Sequence, residues 1–420
     1  MTEYLKRILD DELDFYLDTF GAVLLRGPKW CGKTTTAERH AKSTVKMLEY
    51  GKTDERIKMA NTDIGLILDG EQPRLIDEWQ VAPAIWDNVR SLVDSDNTPG
   101  QFILTGSRIP AENSHRHSGA GRFGVLNMYP MSLFESRDSN GKISLKRMMD
   151  GAEIDACKSP LTVKHAAECL CRGGWPANLG MDCRKYSVKL KSYMDLIYES
   201  DDISLKKYAK DVNVAKEIVR SYSRNISTLA SMKTIDNDVI KGDISISEAK
   251  FFDYVASLRN TYVICDVPAW NPSVRSKDSI RSTPKRELVD PSIAALYLGL
   301  TLDNFTDDFN TFELLFESMC IRDLRAYSSI FDGEVLYYHD KYGLETDAII
   351  KSFDGRYGLA EIKLGSNEID KGAENLCKLE DLLEKNDFKK PSFKMVLTCT
   401  ETSYMRQDGV CVVPVGCLGP

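Results

Sequence analysis

Paired cysteine motifs are missing from this sequence: eleven cysteines are scattered through 420 residues, and no two are spaced C-x-x-C. Only five histidines accompany them, so no zinc-finger ligand spacing can be assembled. Cys169 and Cys171 come nearest to a motif, and a bare C-x-C reads as two buried thiols. Many unpaired cysteines suit a reducing cytoplasm better than secretion. Long apolar runs are missing too; none approaches the ~18 residues that span a bilayer, so no membrane role is expected. The start, Met1-Thr2-Glu3-Tyr4-Leu5-Lys6-Arg7, is charged and amphipathic and has no signal-peptide apolar region. There is no basic excess either. A net charge of -8 argues against a surface coated for nucleic acid and leaves room only for a local basic patch. What is present, 42% hydrophobic and 28% charged residues, fits a globular chain and rules out collagenous, low-complexity or wholly disordered classes. A single core stops growing at ~250–300 residues, so two or three domains are expected.

Strands alternate with helices in the first third. Ala22-Val23-Leu24-Leu25 runs into Gly27, with a helical stretch from Lys33 to about Lys42. Arg74-Leu75-Ile76 leads into Asp77-Glu78, a helical pattern covers Ala84 to Leu92, and Gln101–Thr105 closes on Gly106-Ser107. This alternation predicts an α/β domain with a mainly parallel sheet. From Ser136 to Pro160 the pattern weakens into Ser, Asp, Gly and Lys and reads as a linker or peripheral excursion. Residues 184–235 are strongly helical in period. From Ile244 to about Val267 a helical unit ends in Tyr262-Val263-Ile264-Cys265, the pattern of a winged helix. A helix is then expected at Phe312–Tyr327, strands at Glu334–Tyr338, Asp347–Lys351 and Leu359–Leu364, and a helix at Lys371–Glu384.

Gly27-Pro28-Lys29-Trp30-Cys31-Gly32-Lys33-Thr34 fits G-x-x-x-x-G-K-[ST] between a strand and a helix. The glycines let backbone N–H groups turn inward around phosphates, and the helix N-terminus adds its positive dipole end. Residues Gly27 to Thr35 are therefore the candidate ATP site, with Lys33 reaching the β/γ-phosphates and the Thr34 hydroxyl on Mg²⁺. Such a loop calls for an acid at the end of a second buried strand. Asp77 would hold Mg²⁺ through water, and Glu78 would polarise the attacking water. Thr105 and Ser107 are both candidates for sensing the γ-phosphate, and Arg122 or Arg108 for an arginine finger, in cis or toward a neighbouring subunit.

These motifs, with Leu75–Gln80, Phe102–Ser107, Gly121-Arg122, Tyr129-Pro130-Met131-Ser132-Leu133-Phe134-Glu135 and Gly173-Gly174-Trp175-Pro176 in order, resemble a known family. It is that of prokaryotic AAA-type ATPases with a C-terminal domain of unknown function, the AAA_14/DUF4143 arrangement, related to archaeal ATPases. The resemblance runs from about Gly21 to Leu379, although Trp30-Cys31 departs from the usual small or polar loop residues. It implies an α/β fold: a P-loop ASCE/AAA-type parallel sheet with a helical lid, a winged-helix-like unit and a PD-(D/E)xK, restriction-endonuclase-like, C-terminal domain. The corresponding layout is an ATPase core at 1–155, a lid at 156–235, the winged-helix-like unit at 236–295 and the DUF4143 domain at 296–420.

In that last domain a helical Glu317, then Asp347, then Glu361-Ile362-Lys363 on an apolar strand follow the nuclease order. Asp347 and Glu361 on neighbouring strands would hold Mg²⁺, and Lys363, two residues from Glu361 and so on the same face, would stabilise the charge of the reacting phosphate. Glu248-Ala249-Lys250 is also E-x-K but reads as an exposed helix, so strand placement carries the information. The other reading makes Asp347 and Lys363 an internal ion pair. The loop at 272–286 carries Arg275, Lys277, Arg281, Lys285 and Arg286 against Asp278 alone, a candidate contact for DNA or RNA. The expected function is a Mg²⁺-dependent ATPase coupled to a nucleic-acid transaction, with a homo-oligomer as a further expectation. The alternatives are an ATP-regulated nuclease, or a nucleotide-controlled protein-docking switch without cleavage.

Overall fold

The computed structural model describes residues 4–106, 119–199, 211–242, 246–272, 283–302, 304–305 and 308–420. The chain divides into two compact units: Met1–Tyr129 with Asn260–Tyr262, and the remainder.

The first unit is a parallel sheet with helices on both faces. Its elements are α1 (Leu9–Thr19), β1 (Ala22–Arg26), α2 (Lys33–His40), β2 (Ser43–Lys46), α3 (Thr53–Thr62), α4 (Gly65–Leu68), β3 (Arg74–Asp77), α5 (Ala84–Ser95), β4 (Phe102–Gly106) and β5 (Phe123–Asn127). The strand order is β2-β3-β4-β1-β5, so β4 lies between the strand before the phosphate loop and the strand ending in Asp77. Side chains alternate across a strand. Val23 and Leu25 pack with Leu9, Leu13 and Leu17 of α1, while Ala22 and Leu24 face Ile85, Val89 and Val93 of α5. Burial on both faces explains why β1 reads as an unbroken apolar run.

The second unit opens with β6 (Ile143–Ser144), α6 (Leu145–Met149), α7 (Val163–Arg172), α8 (Cys183–Glu199), α9 (Val212–Arg224), α10 (Met232–Lys241), α11 (Glu248–Asn260) and α12 (Pro291–Tyr297). After α11 the chain forms an antiparallel pair of bridges, Ile264 with Leu288 and Val267 with Lys285. Then come α13 (Phe309–Ser328), β7 (Glu334–His339), β8 (Glu345–Lys351), β9 (Tyr357–Lys363), α14 (Ile369–Lys385), β10 (Lys394–Thr398), β11 (Tyr404–Met405), β12 (Cys411–Pro414) and β13 (Leu418–Gly419). The six-stranded sheet runs β11-β12-β10-β9-β8-β7. Strand β8 is antiparallel to both β7 and β9, whereas β10 pairs with β9 and β12 in parallel. Helix α14 crosses over between β9 and β10 and seats Ala373, Leu376 and Leu383 on Leu359, Val396 and Val412.

The segment 136–160, expected as a linker, is packed. Ile143 pairs with Leu418, and Leu145, Met148 and Met149 are buried. Among the described residues no helix is long and apolar enough to cross a membrane.

Candidate functional site

The phosphate loop is shaped by three residues with positive φ. Gly27 stands at φ 155°, where a Cβ would lie 2.1 Å from the Met128 carbonyl oxygen, so no side chain fits. Trp30 at φ 71° and Gly32 at φ 104° turn the chain into α2. An aromatic residue in the left-handed region costs about 1–2 kcal/mol, strain of the kind that clusters at functional sites. Buried Arg7 braces the loop, donating to the carbonyls of Cys31 at 2.7 Å and Tyr129 at 2.8 Å. Nothing in the sequence distinguishes this arginine from an exposed one.

Lys33 opens α2, is 6% exposed, and donates to the carbonyls of Gly27 and Pro28 at 2.9 and 2.7 Å. Asp77 ends β3, where its Oδ1 accepts hydrogen bonds from the hydroxyls of Thr34 at 2.7 Å and Thr105 at 2.6 Å. The register pairs Asp77 with Thr105, so the parallel sheet itself brings the two together. Glu78 follows in a left-handed conformation, φ 56° and ψ 45°, with its N–H on the Thr105 hydroxyl at 3.3 Å and its carboxylate accepting from the Gln80 amide. Lys33, Thr34, Asp77 and Glu78 are thus gathered at one end of the sheet, with Thr105 linking the two acids.

Two other expectations fare differently. Ser107 and Arg108 lie outside the described residues. Arg122 does not reach the phosphate loop of its own chain. It precedes β5, whose first residue pairs with Ala22 at the start of β1, whereas the loop follows the last residue of that strand. Five residues of strand, about 15 Å, separate the two ends. Arg122 is exposed and its guanidinium pairs with Asp94 of α5.

In the second unit, Glu317 on α13, Asp347 on β8, and Glu361 and Lys363 on β9 are brought together as expected. Lys363 lies 3.0 Å from Glu361 and 3.3 Å from Asp347, whose Oδ2 also accepts the Ile362 N–H at 2.8 Å. A fifth member comes from elsewhere. Lys285 is 1% exposed, and its Nζ stands 2.6 Å from Glu317, 3.7 Å from Asp347 and 3.9 Å from Glu345. Burial pushes Glu317 up to about 8 against the pull of Lys285, and burial together with Asp347 pushes Glu361 up to about 8. Asp347 is held below the usual range: burial opposes ionisation, but Lys285 and Lys363 outweigh it. Both lysines are raised, because their acidic partners outweigh the burial of the ammonium groups.

This corrects the reading of the 272–286 loop. Lys285 and Arg286 are buried ion-pair partners, Arg286 of Asp266 at 2.8 Å, while Arg275, Lys277 and Arg281 lie outside the described residues.

Neighbouring Glu287 is buried between the hydroxyls of Ser227 at 2.8 Å and Ser318 at 2.6 Å, and burial pushes it up to about 7. Its folded value exceeds the unfolded 4.5, so the stability it adds is complete below 4.5 and is lost as pH rises through about 7. Raising pH across that window should therefore lower the apparent urea midpoint, with Glu287 contributing on the order of 3 kcal/mol. Glu287→Gln should flatten that slope; an equally steep slope in the variant would contradict it.

A glycine-rich loop heading a helix, with a strand-end acid beside it, defines a P-loop nucleotide-binding domain of the parallel α/β class. Residues 19–136 match the AAA_14 family, described as an AAA domain. Residues 312–418 match DUF4143 and residues 163–304 match DUF8612, both domains of unknown function. The chain therefore has the architecture of the AAA-type ATPases that carry a C-terminal DUF4143 domain. No curated protein matches it. Among solved structures it is similar to the Walker-type ATPase PABY2304 of Pyrococcus abyssi, at 12% identity and a TM-score of 0.42, covering 69% of this chain and 94% of that one. A structure of Drosophila ORC bound to DNA is similar at 9% identity and a TM-score of 0.22, covering 70% and 94%. A DNA replication initiation factor is similar at 12% identity and a TM-score of 0.22, covering 60% and 86%.

Proposed function

We propose that this protein is a Mg²⁺-dependent ATPase whose hydrolysis is coupled to a nucleic-acid transaction. The observation that carries the proposal is the convergence of the Thr34 and Thr105 hydroxyls on one oxygen of Asp77, next to Lys33 and Glu78. A hydroxyl at the head of α2 within 2.7 Å of a carboxylate fits a hard divalent ion held directly by Thr34 and through water by Asp77. An ion held by Thr34 and Asp77 would neutralise charge on the terminal phosphates. Lys33 exchanges two loop carbonyls for phosphate oxygens, and the loop N–H groups hold the remaining phosphate charge. Glu78 orients and deprotonates the attacking water, and Gln80 fixes the direction of its carboxylate.

For the layout we propose an ATPase core ending near Tyr129 rather than at 155, because 136–160 packs within the second unit, with a lid at 156–235, a winged-helix-like unit at 236–295 and a restriction-endonuclase-like domain at 296–420. Helix α11 followed by the paired segment, Ile264 with Leu288 and Val267 with Lys285, supports the winged-helix reading, which in turn supports the nucleic-acid partner. The order helix, three antiparallel strands, helix, parallel strand from α13 to β10 supports the nuclease-type fold. Eleven free thiols support a reducing, cytoplasmic setting.

ATP hydrolysis measured with Mg²⁺, with and without DNA and RNA, tests the proposal. Wild type should hydrolyse ATP faster with one nucleic acid present. Lys33→Ala, losing a charged hydrogen-bonding group, should bind ATP roughly 10–100-fold more weakly. An absence of hydrolysis under every condition would overturn the ATPase reading, and indifference to nucleic acid would overturn the coupling.

A further inference from the structure

Lys285 enters the carboxylate cluster from outside the expected set, and the backbone fixes it there. Its N–H and carbonyl both bond Val267, each at 2.9 Å, so the residue is clamped in a short antiparallel ladder while its stem is buried. The ring of Tyr337 lies 5.8 Å from the ammonium. An ammonium nitrogen 2.6 Å from Glu317 and 3.7 Å from Asp347 fills the space where an ion bound by those carboxylates would sit. Mg²⁺–oxygen distances are about 2.0–2.1 Å and Ca²⁺–oxygen distances about 2.3–2.6 Å. The remaining oxygen of Asp347 is taken by the Ile362 N–H and Lys363, and Glu361 faces Lys363.

The charges point the same way. Lys285 and Lys363 already supply two positive charges to Glu317, Asp347 and Glu361, and the more exposed Glu345 stands 3.9 Å from Lys285. A divalent ion among those carboxylates would lie within a few ångströms of a buried ammonium group, and like charges at that range repel strongly away from water. Removing the Lys285 charge removes that repulsion. The residues that suggest a metal centre therefore do not fit a resident metal while Lys285 is among them.

We propose that Lys285 is a built-in cation that takes the place of a divalent metal, so that this domain keeps a nuclease-type residue set but neither binds metal there nor cuts nucleic acid. The proposal further assigns a latent divalent-cation site to Glu317, Asp347 and Glu361, which opens when the Lys285 charge is removed.

The test is Mn²⁺ binding followed by electron paramagnetic resonance on the full chain, without nucleotide and in an Asp77→Asn background that disables the phosphate-side pair. With Lys285 present, no Mn²⁺ binding that depends on Asp347 is expected up to millimolar concentration. Lys285→Met should gain one Mn²⁺ site, about a hundredfold tighter or more, since a like charge some 4 Å away is removed. Asp347→Asn should abolish that gain. Mn²⁺ should also raise the thermal midpoint of Lys285→Met and leave that of its parent unchanged. If Lys285→Met does not fold, Lys285→Gln removes the charge while keeping a hydrogen-bond donor for Glu317, and it should gain the same Asp347-dependent site. Asp347-dependent Mn²⁺ binding with Lys285 in place would overturn the proposal. So would a folded Lys285 variant that binds none.

Discussion

Glu78→Gln is expected to bind ATP as the wild type does and to hydrolyse it about 10²–10⁴-fold more slowly, the usual contribution of a positioned general base. The residues proposed to hold nucleotide, Gly27 to Thr34 and Asp77, are untouched by this change. Glutamine keeps the length of the side chain and can still accept from the Gln80 amide, so the direction of the group is preserved while its basicity is lost. The backbone makes the position informative as well. Glu78 stands at φ 56° and ψ 45°, and its N–H is received by the same Thr105 hydroxyl that bonds Asp77. A non-glycine residue held in the left-handed region costs about 1–2 kcal/mol, which the surrounding hydrogen bonds must offset. Steady-state turnover and equilibrium binding of Mg²⁺–ATP separate the two effects. Equal turnover in wild type and Glu78→Gln would remove Glu78 from the role of base.

What the sequence made legible follows the range of the interactions involved. The phosphate loop is local: eight consecutive residues between a strand and a helix carry its whole signature. Asp77 and Glu78 were legible as the end of an apolar strand, and Glu317, Asp347, Glu361 and Lys363 through their order and strand parity. Lys285 was not. It stands with Arg275, Lys277, Arg281 and Arg286 in a stretch that reads as a basic loop open to DNA or RNA, and only the fold shows Lys285, Arg286 and Glu287 buried against Glu317, Asp266 and two hydroxyls. Arg122 misses the phosphate loop of its own chain for a different reason. Motif order says nothing about which end of a strand a residue occupies, and in this parallel sheet the residue before β5 lies beside the start of β1, at the far end of that strand from the phosphate loop. The stretch at 136–160 looked like a linker because its apolar residues are few and interspersed with Ser, Asp and Lys, yet Ile143, Leu145, Met148 and Met149 are all buried.

Arg322→Met should be the most destabilising single change in the second unit, by about 3–5 kcal/mol, because it leaves two buried carboxylates without their counter-ion. Arg322 sits on α13, 3% exposed at the side chain, and holds Asp290 at 2.9 Å and Asp323 at 2.7 Å, both with fully buried side chains. Each acid in turn anchors backbone elsewhere. Asp323 accepts the Leu133 N–H at 3.0 Å, while Asp290 accepts the Gly174 N–H at 2.9 Å and caps α12 through the Ser292 N–H at 3.0 Å. The Met131 N–H bonds the Gly174 carbonyl at 2.6 Å, and a Cβ on Gly174 would lie 2.2 Å from the Met131 carbonyl oxygen. Two motifs far apart in sequence, Tyr129–Glu135 and Gly173–Pro176, thus meet at one guanidinium. Their part in the pattern of this sequence is structural: from Pro130 to Pro176 they hold the second unit together, while Tyr129 gives its carbonyl to the Arg7 that braces the phosphate loop. Arg322→Lys should recover only part of the loss, since an ammonium cannot reproduce the planar, two-sided hydrogen bonding of the guanidinium. Urea denaturation followed by a probe in this unit checks both variants. An Arg322→Met midpoint equal to wild type would mean that the two carboxylates take up protons on folding and that Arg322 is dispensable.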